Sequence, residues 1–276
     1  MLKRIVIGLD GSDYSDSAMR TGCILAQKTG ATIVGLAVID LPGIEKHLRG
    51  APPGAYHMAE VEREHKLADA GKKTERFLQQ CQRHCRETGV KCHLAAPTGD
   101  PLDVIAAESR TADLVIVGLR TFFHFETSTK SGETLRKLLE QSISPVLAVP
   151  EKATEPEKVL LTYDGSIPAA KAIRIYLQLS QGLDLHHLIL NVCDDREKSD
   201  QLLDALSNYM RSHGIEAESL SLPGHPGQVI LEVAKKIQPA VVVMGAYGES
   251  VLKKMLFGTT ANSLIEDGTI PLFTYH

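Results

Sequence analysis

The chain has 276 residues, a length that allows two ordinary domains or one large one. A composition of 43% hydrophobic and 23% charged residues is that of a globular protein, and the net charge of −4 comes without the basic block that nucleic-acid binding needs. Apolar runs stop short of the roughly 20 residues of a membrane-spanning helix, and Asp10, Gly11, Ser12 and Asp13 cut off the one run that resembles a signal-peptide core, so a cytoplasmic protein with neither nucleic-acid nor membrane partners is expected.

In chain order, residues 3–12 read as a short buried strand halted by Asp10-Gly11-Ser12. Ser15 to Thr29 carries apolar residues at helical spacing, and Thr32 to Val38 is a second strand ending at Ile39-Asp40. An excursion with Pro42, Pro52, Pro53 and Gly54 follows, read as a surface loop in preference to a lid, then a charged helical stretch from about Met58 to Arg86. Gly99-Asp100-Pro101 marks a turn, residues 113–118 another strand, and residues 145–149 the last strand of this half. The polar stretch 151–157 is a linker.

The same landmarks then recur in the same order, which predicts an internal repeat. Residues 157–166 again end in Asp164-Gly165-Ser166, with Ser166 a candidate helix N-cap and Pro168 in the permissive first turn of a helix reaching Gln181. Leu188 to Val192 precedes Cys193-Asp194, Gly224-His225-Pro226 matches the earlier turn, and Val241 to Gly245 and Leu272 to Tyr275 close the copy. Strand alternating with helix, and apolar strands without polar alternation, predict an α/β fold: two tandem five-stranded doubly wound parallel sheets, over residues 1–150 and 157–276. Ligand sites of such sheets lie at the carboxyl ends of the strands.

The sharpest local signal is Gly245-x-x-Gly248, nine residues, then Gly258-Thr259, placed after a strand and before the predicted helix 259–266. Phosphate suits a helix N-terminus, where unpaired N–H groups and the helix dipole favour anions. Neither a Walker loop nor a Rossmann fingerprint occurs. This pattern resembles that of the nucleotide-binding members of the universal stress protein family, and residues 245–259 match it without a gap. The resemblance implies a Rossmann-like, adenine nucleotide hydrolase-like fold, repeated twice, with ATP as ligand and magnesium as an optional companion of the phosphates. It further implies that Asp164 holds the adenosine end, that the Val192 backbone meets adenine, and that Thr162 and Tyr163 line the same pocket. Met244, Gly245, Gly248, Gly258, Thr259, Thr260 and Ala261 would then surround ribose and phosphates.

The first copy departs from the pattern. Thr121 replaces the second glycine, the spacing to Gly132 is ten, and Glu133 stands where Ser or Thr belongs. A carboxylate there would repel phosphate by about 4 kcal/mol at 4 Å and an effective dielectric of 20. Asp10 and Val38 remain, so an adenosine-sized pocket without triphosphate binding is open. Phe122, Phe123 and Phe125 read as loop packing or as a contact for a second chain. Cys81, His84, Cys85 and Cys92 lack familiar zinc spacing and read as core packing.

No residue reads as a catalytic base; His225 reads as an ordinary loop histidine. A regulatory, stress-survival ATP-binding protein is therefore favoured over a slow ATPase and over a nucleotide-free scaffold. The family typically dimerises through the strand nearest the C-terminus, so residues 146–149 and 272–275 are expected to pair within the chain as a pseudo-dimer.

Overall fold

The computed structural model describes residues 2–48, 56–120, 133–152, 157–246 and 259–275. The first half runs β1 (Arg4–Gly8), α1 (Asp13–Thr29), β2 (Thr32–Leu36), β3 (Ile39–Asp40), α2 (Leu41–Leu48), α3 (Tyr56–Glu87), β4 (Cys92–Ala95), β5 (Thr98–Gly99), α4 (Pro101–Ser109), β6 (Leu114–Gly118), α5 (Glu133–Gln141) and β7 (Val146–Val149). The second runs β8 (Lys158–Thr162), α6 (Ile167–Leu179), β9 (His186–Val192), α7 (Arg196–Ser212), β10 (Ala217–Leu222), α8 (Pro226–Ile237), β11 (Val241–Gly245), α9 (Thr259–Asp267) and β12 (Leu272–Tyr275).

Among the described residues these strands build one ten-stranded sheet in the order β10-β9-β8-β11-β12-β7-β6-β1-β2-β4. Each half is parallel within itself and has the same winding: β1 lies between β2 and β6, and β8 lies between β9 and β11. The halves join where β12 meets β7 antiparallel, with Phe273 beside Leu147. The fold is α/β, as two Rossmann-like halves of one sheet.

Successive strand residues point to opposite faces, and both faces are buried. Ile5 and Ile7 pack with α1, α3, α6 and α7, while Val6 packs on the other side with α4, α5, α8 and α9. Double coverage is why the strands are apolar throughout.

The Asp-Gly-Ser stops are capping turns. Ser12 and Ser166 are the N-caps of α1 and α6, accepting from Ser15 N at 3.2 Å and Ala169 N at 3.3 Å. Such a cap contributes about 1 kcal/mol. Asp10 Oδ1 accepts from Ser12 N at 3.0 Å, and Asp164 Oδ1 accepts from Ser166 N at 2.9 Å. Gly11 and Gly165 between them have φ of 76° and 82°, which a side chain rarely adopts.

The excursion after β2 differs from a plain loop. Residues 41–48 are helical, because Asp40 Oδ1 accepts from Gly43 N at 2.9 Å and Pro42 sits in the tolerant first turn. β3 and β5 form a separate two-stranded ribbon beneath it. Pro52, Pro53 and Gly54 lie outside the described residues. The cysteines on α1 and α3 face inward, with Cys23 Sγ 3.8 Å from Cys85 Sγ; the mutual contact and burial push the Cys23 thiol well above its usual range.

Candidate functional site

The winding of the sheet reverses within the second half. From β8 the chain crosses to β9 on one side, while β11 lies on the other, so β8 and β11 flank a topological switch point. Asp164, Val192 and Gly245 all stand at the carboxyl edge of the second half, because β9, β8 and β11 are consecutive neighbours and parallel.

Each side chain has a distinct setting. Asp164 is exposed at the rim, with one oxygen held by the Ser166 amide. Thr162 is buried, and its hydroxyl donates to the Val243 carbonyl at 3.1 Å, so it ties β8 to β11. Tyr163 is half-buried; its N–H donates to Leu190 O at 3.0 Å, and its carbonyl accepts from the Asn191 side-chain amide at 2.6 Å. Asn191 is 2% exposed and had gone unremarked at the sequence level. The signal was present: it is the polar break in the run Leu188 to Val192, at the place that Ala37 takes before Val38 in the first half. Val192 is half-buried at the end of β9, beside Leu222.

Gly245 serves packing. A Cβ there would lie 2.6 Å from both Ala169 N and Pro168 C, so β11 ends directly against the first turn of α6. Met244 and Ala261 are buried in the same cluster, which brings α9 under the end of β11. Thr259 opens α9, and Thr260 is half-buried in its first turn; the side chain of Thr259 lies outside the described residues, as do Gly248 and Gly258. Lys235 Nζ of α8 stands 2.5 Å from Asp267 Oδ1 at the far end of α9 and clamps the helix. Burial raises the Asp267 pKa, but Lys235 and Thr269 outweigh it and hold the carboxyl below its ordinary value. His225 is the exposed N-cap of α8 without a side-chain cap bond, and Gly224 N donates to Asp194 Oδ1 at 3.0 Å, fastening that loop to the one after β9.

The corresponding edge of the first half is built differently. The α3 helix has 32 residues against 17 in α7, and it brings Phe77 over the turn after β1. A Cβ on Gly11 would fall 2.1 Å from the Phe77 ring, whereas one on Gly165 would meet Leu202 at 2.9 Å. Glu133 opens α5, and its side chain, like residues 121–132 with Phe122 to Phe125, lies outside the described residues.

Comparison with known proteins agrees with this doubled architecture. The model of the universal stress protein family matches residues 1–150 and again 156–276. The chain belongs to the universal stress protein family. As a family member with two copies, it is 23% identical to a universal stress protein of Synechocystis over 286 residues, covering 99% of this chain and 100% of that one. Among solved structures it is similar to a universal stress protein from Archaeoglobus fulgidus, with a TM-score of 0.76, 20% identity and coverage of 99% and 97%. It is also similar to a functionally unknown protein from Pseudomonas aeruginosa, with a TM-score of 0.66, 14% identity and coverage of 99% and 92%.

Proposed function

We propose that the protein binds ATP in its second half and acts as a nucleotide-dependent regulatory member of its family. One observation carries the reading: the ungapped glycine pattern of residues 245–259 begins where β11 ends and finishes where α9 begins, beside the switch point. Adenine nucleotides accompany some solved family proteins, one in complex with cAMP and one from Arabidopsis thaliana with AMP. Those ligands are theirs, and the assignment here rests on this chain's own residues.

In this reading the phosphates lie at the N-terminus of α9, where the free amides and the Thr259 and Thr260 hydroxyls donate to them. Adenosine sits across the ends of β8 and β9. Asp164 receives the ribose hydroxyls and the Val192 backbone meets the adenine edge. Asn191 fixes the peptide after Tyr163 and so holds the pocket wall in place. Gly248 and Gly258 keep the phosphate loop free of side chains. The first half, with Phe77 over Gly11 and Glu133 at its helix start, takes no triphosphate.

Among the described residues no side chain at this edge is placed as a general base, and the reading is binding with turnover well below the roughly 10 s⁻¹ of a typical enzyme. The test is mass spectrometry of small molecules released on denaturing the purified chain, paired with a phosphate-release assay. An adenine nucleotide released without turnover is the expected result. No nucleotide released, and none taken up from millimolar ATP, would make the protein a scaffold. Magnesium-dependent turnover above about 1 s⁻¹ would make it an enzyme.

A further inference from the structure

Helix α9 has its free amides at one end, and its other end is held by side chains of the first half. The helix has nine residues and is therefore about 13 Å long. It closes at Gly268, whose N–H donates to Leu264 O at 3.1 Å. Arg120, two residues past the end of β6, reaches this cap. A Cβ on Gly268 would fall 2.9 Å from Arg120 Nε, so the guanidinium lies against the glycine, and Arg120 Nη2 donates to the Glu266 carbonyl at 3.4 Å. Arg136, in the first turn of α5, stands with Nη2 3.6 Å from Glu266 Oε1. Two cations from one half thus meet the C-terminal end of a helix in the other, the end where positive charge is favourable.

The arrangement is one-sided. Arg120 stands two residues after Gly118, the counterpart of Gly245, and the residue two after Gly245 is Tyr247. Arg136 is the fourth residue of α5, and the fourth of α9 is Asn262. Glu140 of α5 matches Glu266 of α9, yet the second half has no cation at the two places from which Arg120 and Arg136 reach across. The helix that receives the arginines is the one that follows the ungapped glycine pattern, while its counterpart α5 opens on Glu133. The repeat breaks its symmetry in favour of the half with the intact pattern.

We propose that Arg120 and Arg136 are positioning residues for the nucleotide site of the second half. By holding the C-terminal end of α9 they keep its N-terminal amides where the phosphates bind. The role rests on the ATP reading above and adds to it that the first half sets the affinity of the second. Neither arginine touches the nucleotide. Freed at its C-terminal end, α9 spends part of its time displaced, and ATP binds more weakly in proportion to the competent fraction lost. Lys235 of α8 still pairs with Asp267, so α9 keeps an anchor within its own half when the arginines are removed.

The test is isothermal titration calorimetry of the full chain with ATP, alongside melting without nucleotide. Arg120→Ala and Arg136→Ala should each raise the ATP dissociation constant about two- to fivefold, and together about four- to twentyfold, the range of charged contacts of this kind. The melting temperature should stay within a few degrees of the parent. Arg136→Lys should recover part of the affinity. Glu266→Gln should match Arg136→Ala, and combining the two should cost little more than either, since both remove the same contact. Parent affinity in the double arginine variant would overturn the proposal and leave the ATP reading intact. Weaker binding that follows a falling melting temperature, with Arg136→Lys no better than Arg136→Ala, would also overturn it, because that pattern marks a contact that only stabilises the fold. A parent chain that takes up no ATP would overturn the ATP reading and this role together.

Discussion

Replacing Gly245 by Ala tests why a glycine ends β11. The new Cβ would sit 2.6 Å from Ala169 N and Pro168 C and 2.8 Å from Pro168 Cβ. Ordinary carbon contacts begin near about 3.5 Å, so strand and helix must part by nearly an ångström. Neither neighbour yields cheaply, since two of the three atoms are backbone in a turn fixed by the Ser166 cap and by the Pro168 ring. Overpacking of this kind costs about 1–3 kcal/mol, and rigid backbone places this case at the upper end. At about 2–4 °C per kcal/mol for a chain of this size, the melting temperature should fall by roughly 6–12 °C. Circular dichroism melts without nucleotide read this directly. Gly71→Ala is the control: Gly71 lies inside α3 with nothing near its would-be Cβ, so removing a helical glycine should stabilise by up to about 1 kcal/mol. Gly245→Ala melting with the parent would refute the close approach and leave a ligand as the only reason for the glycine.

Other outcomes follow from the same structure. Burial, helped by the charge of His186 and opposed by the Leu185 backbone, lowers the pKa of His187 from 6.5. Below about pH 6.5 the unfolded chain therefore takes up a proton that the folded chain refuses, so stability falls with pH until the folded value is reached and then levels off. Urea midpoints between pH 8 and pH 5 should show this fall, and His187→Phe should flatten it; an identical slope in the variant would contradict the assignment. Phe273→Asp buries a carboxylate at a 4%-exposed position opposite Leu147 in the strand pair that joins the halves. The halves should separate or unfold, seen as a larger hydrodynamic radius or lost ellipticity, and an unchanged radius and melt would contradict the role given to this pair.

The parts of the fold that were legible in the sequence are those with a local physical cause. Asp10-Gly11-Ser12 and its repeat at 164–166 announce a strand end, a left-handed glycine and a helix cap, and each appears in place. Apolar strands announce a doubly covered sheet. The helix α2 was hidden because Pro42 read as a loop residue, while the cap that overrides it comes from the Asp40 side chain, which accepts from Gly43 N. Phe77 over Gly11 was equally hidden, since the contact joins residues 66 apart through a helix whose own pattern looks merely charged. At the candidate site the glycine spacing pointed to the edge where β11 ends, but spacing alone does not separate a glycine serving phosphate from one serving helix packing, and Gly245 packs against the first turn of α6.

Isothermal titration calorimetry of the full chain with ATP reads out whether the second half alone holds one ATP per chain. The expected stoichiometry is one, with no measurable binding in Gly248→Val or Gly258→Glu, whose added side chains fill the space phosphate needs, and unchanged binding in Asp10→Ala. Two equivalent sites, or parent-like affinity in the two glycine variants, would contradict it.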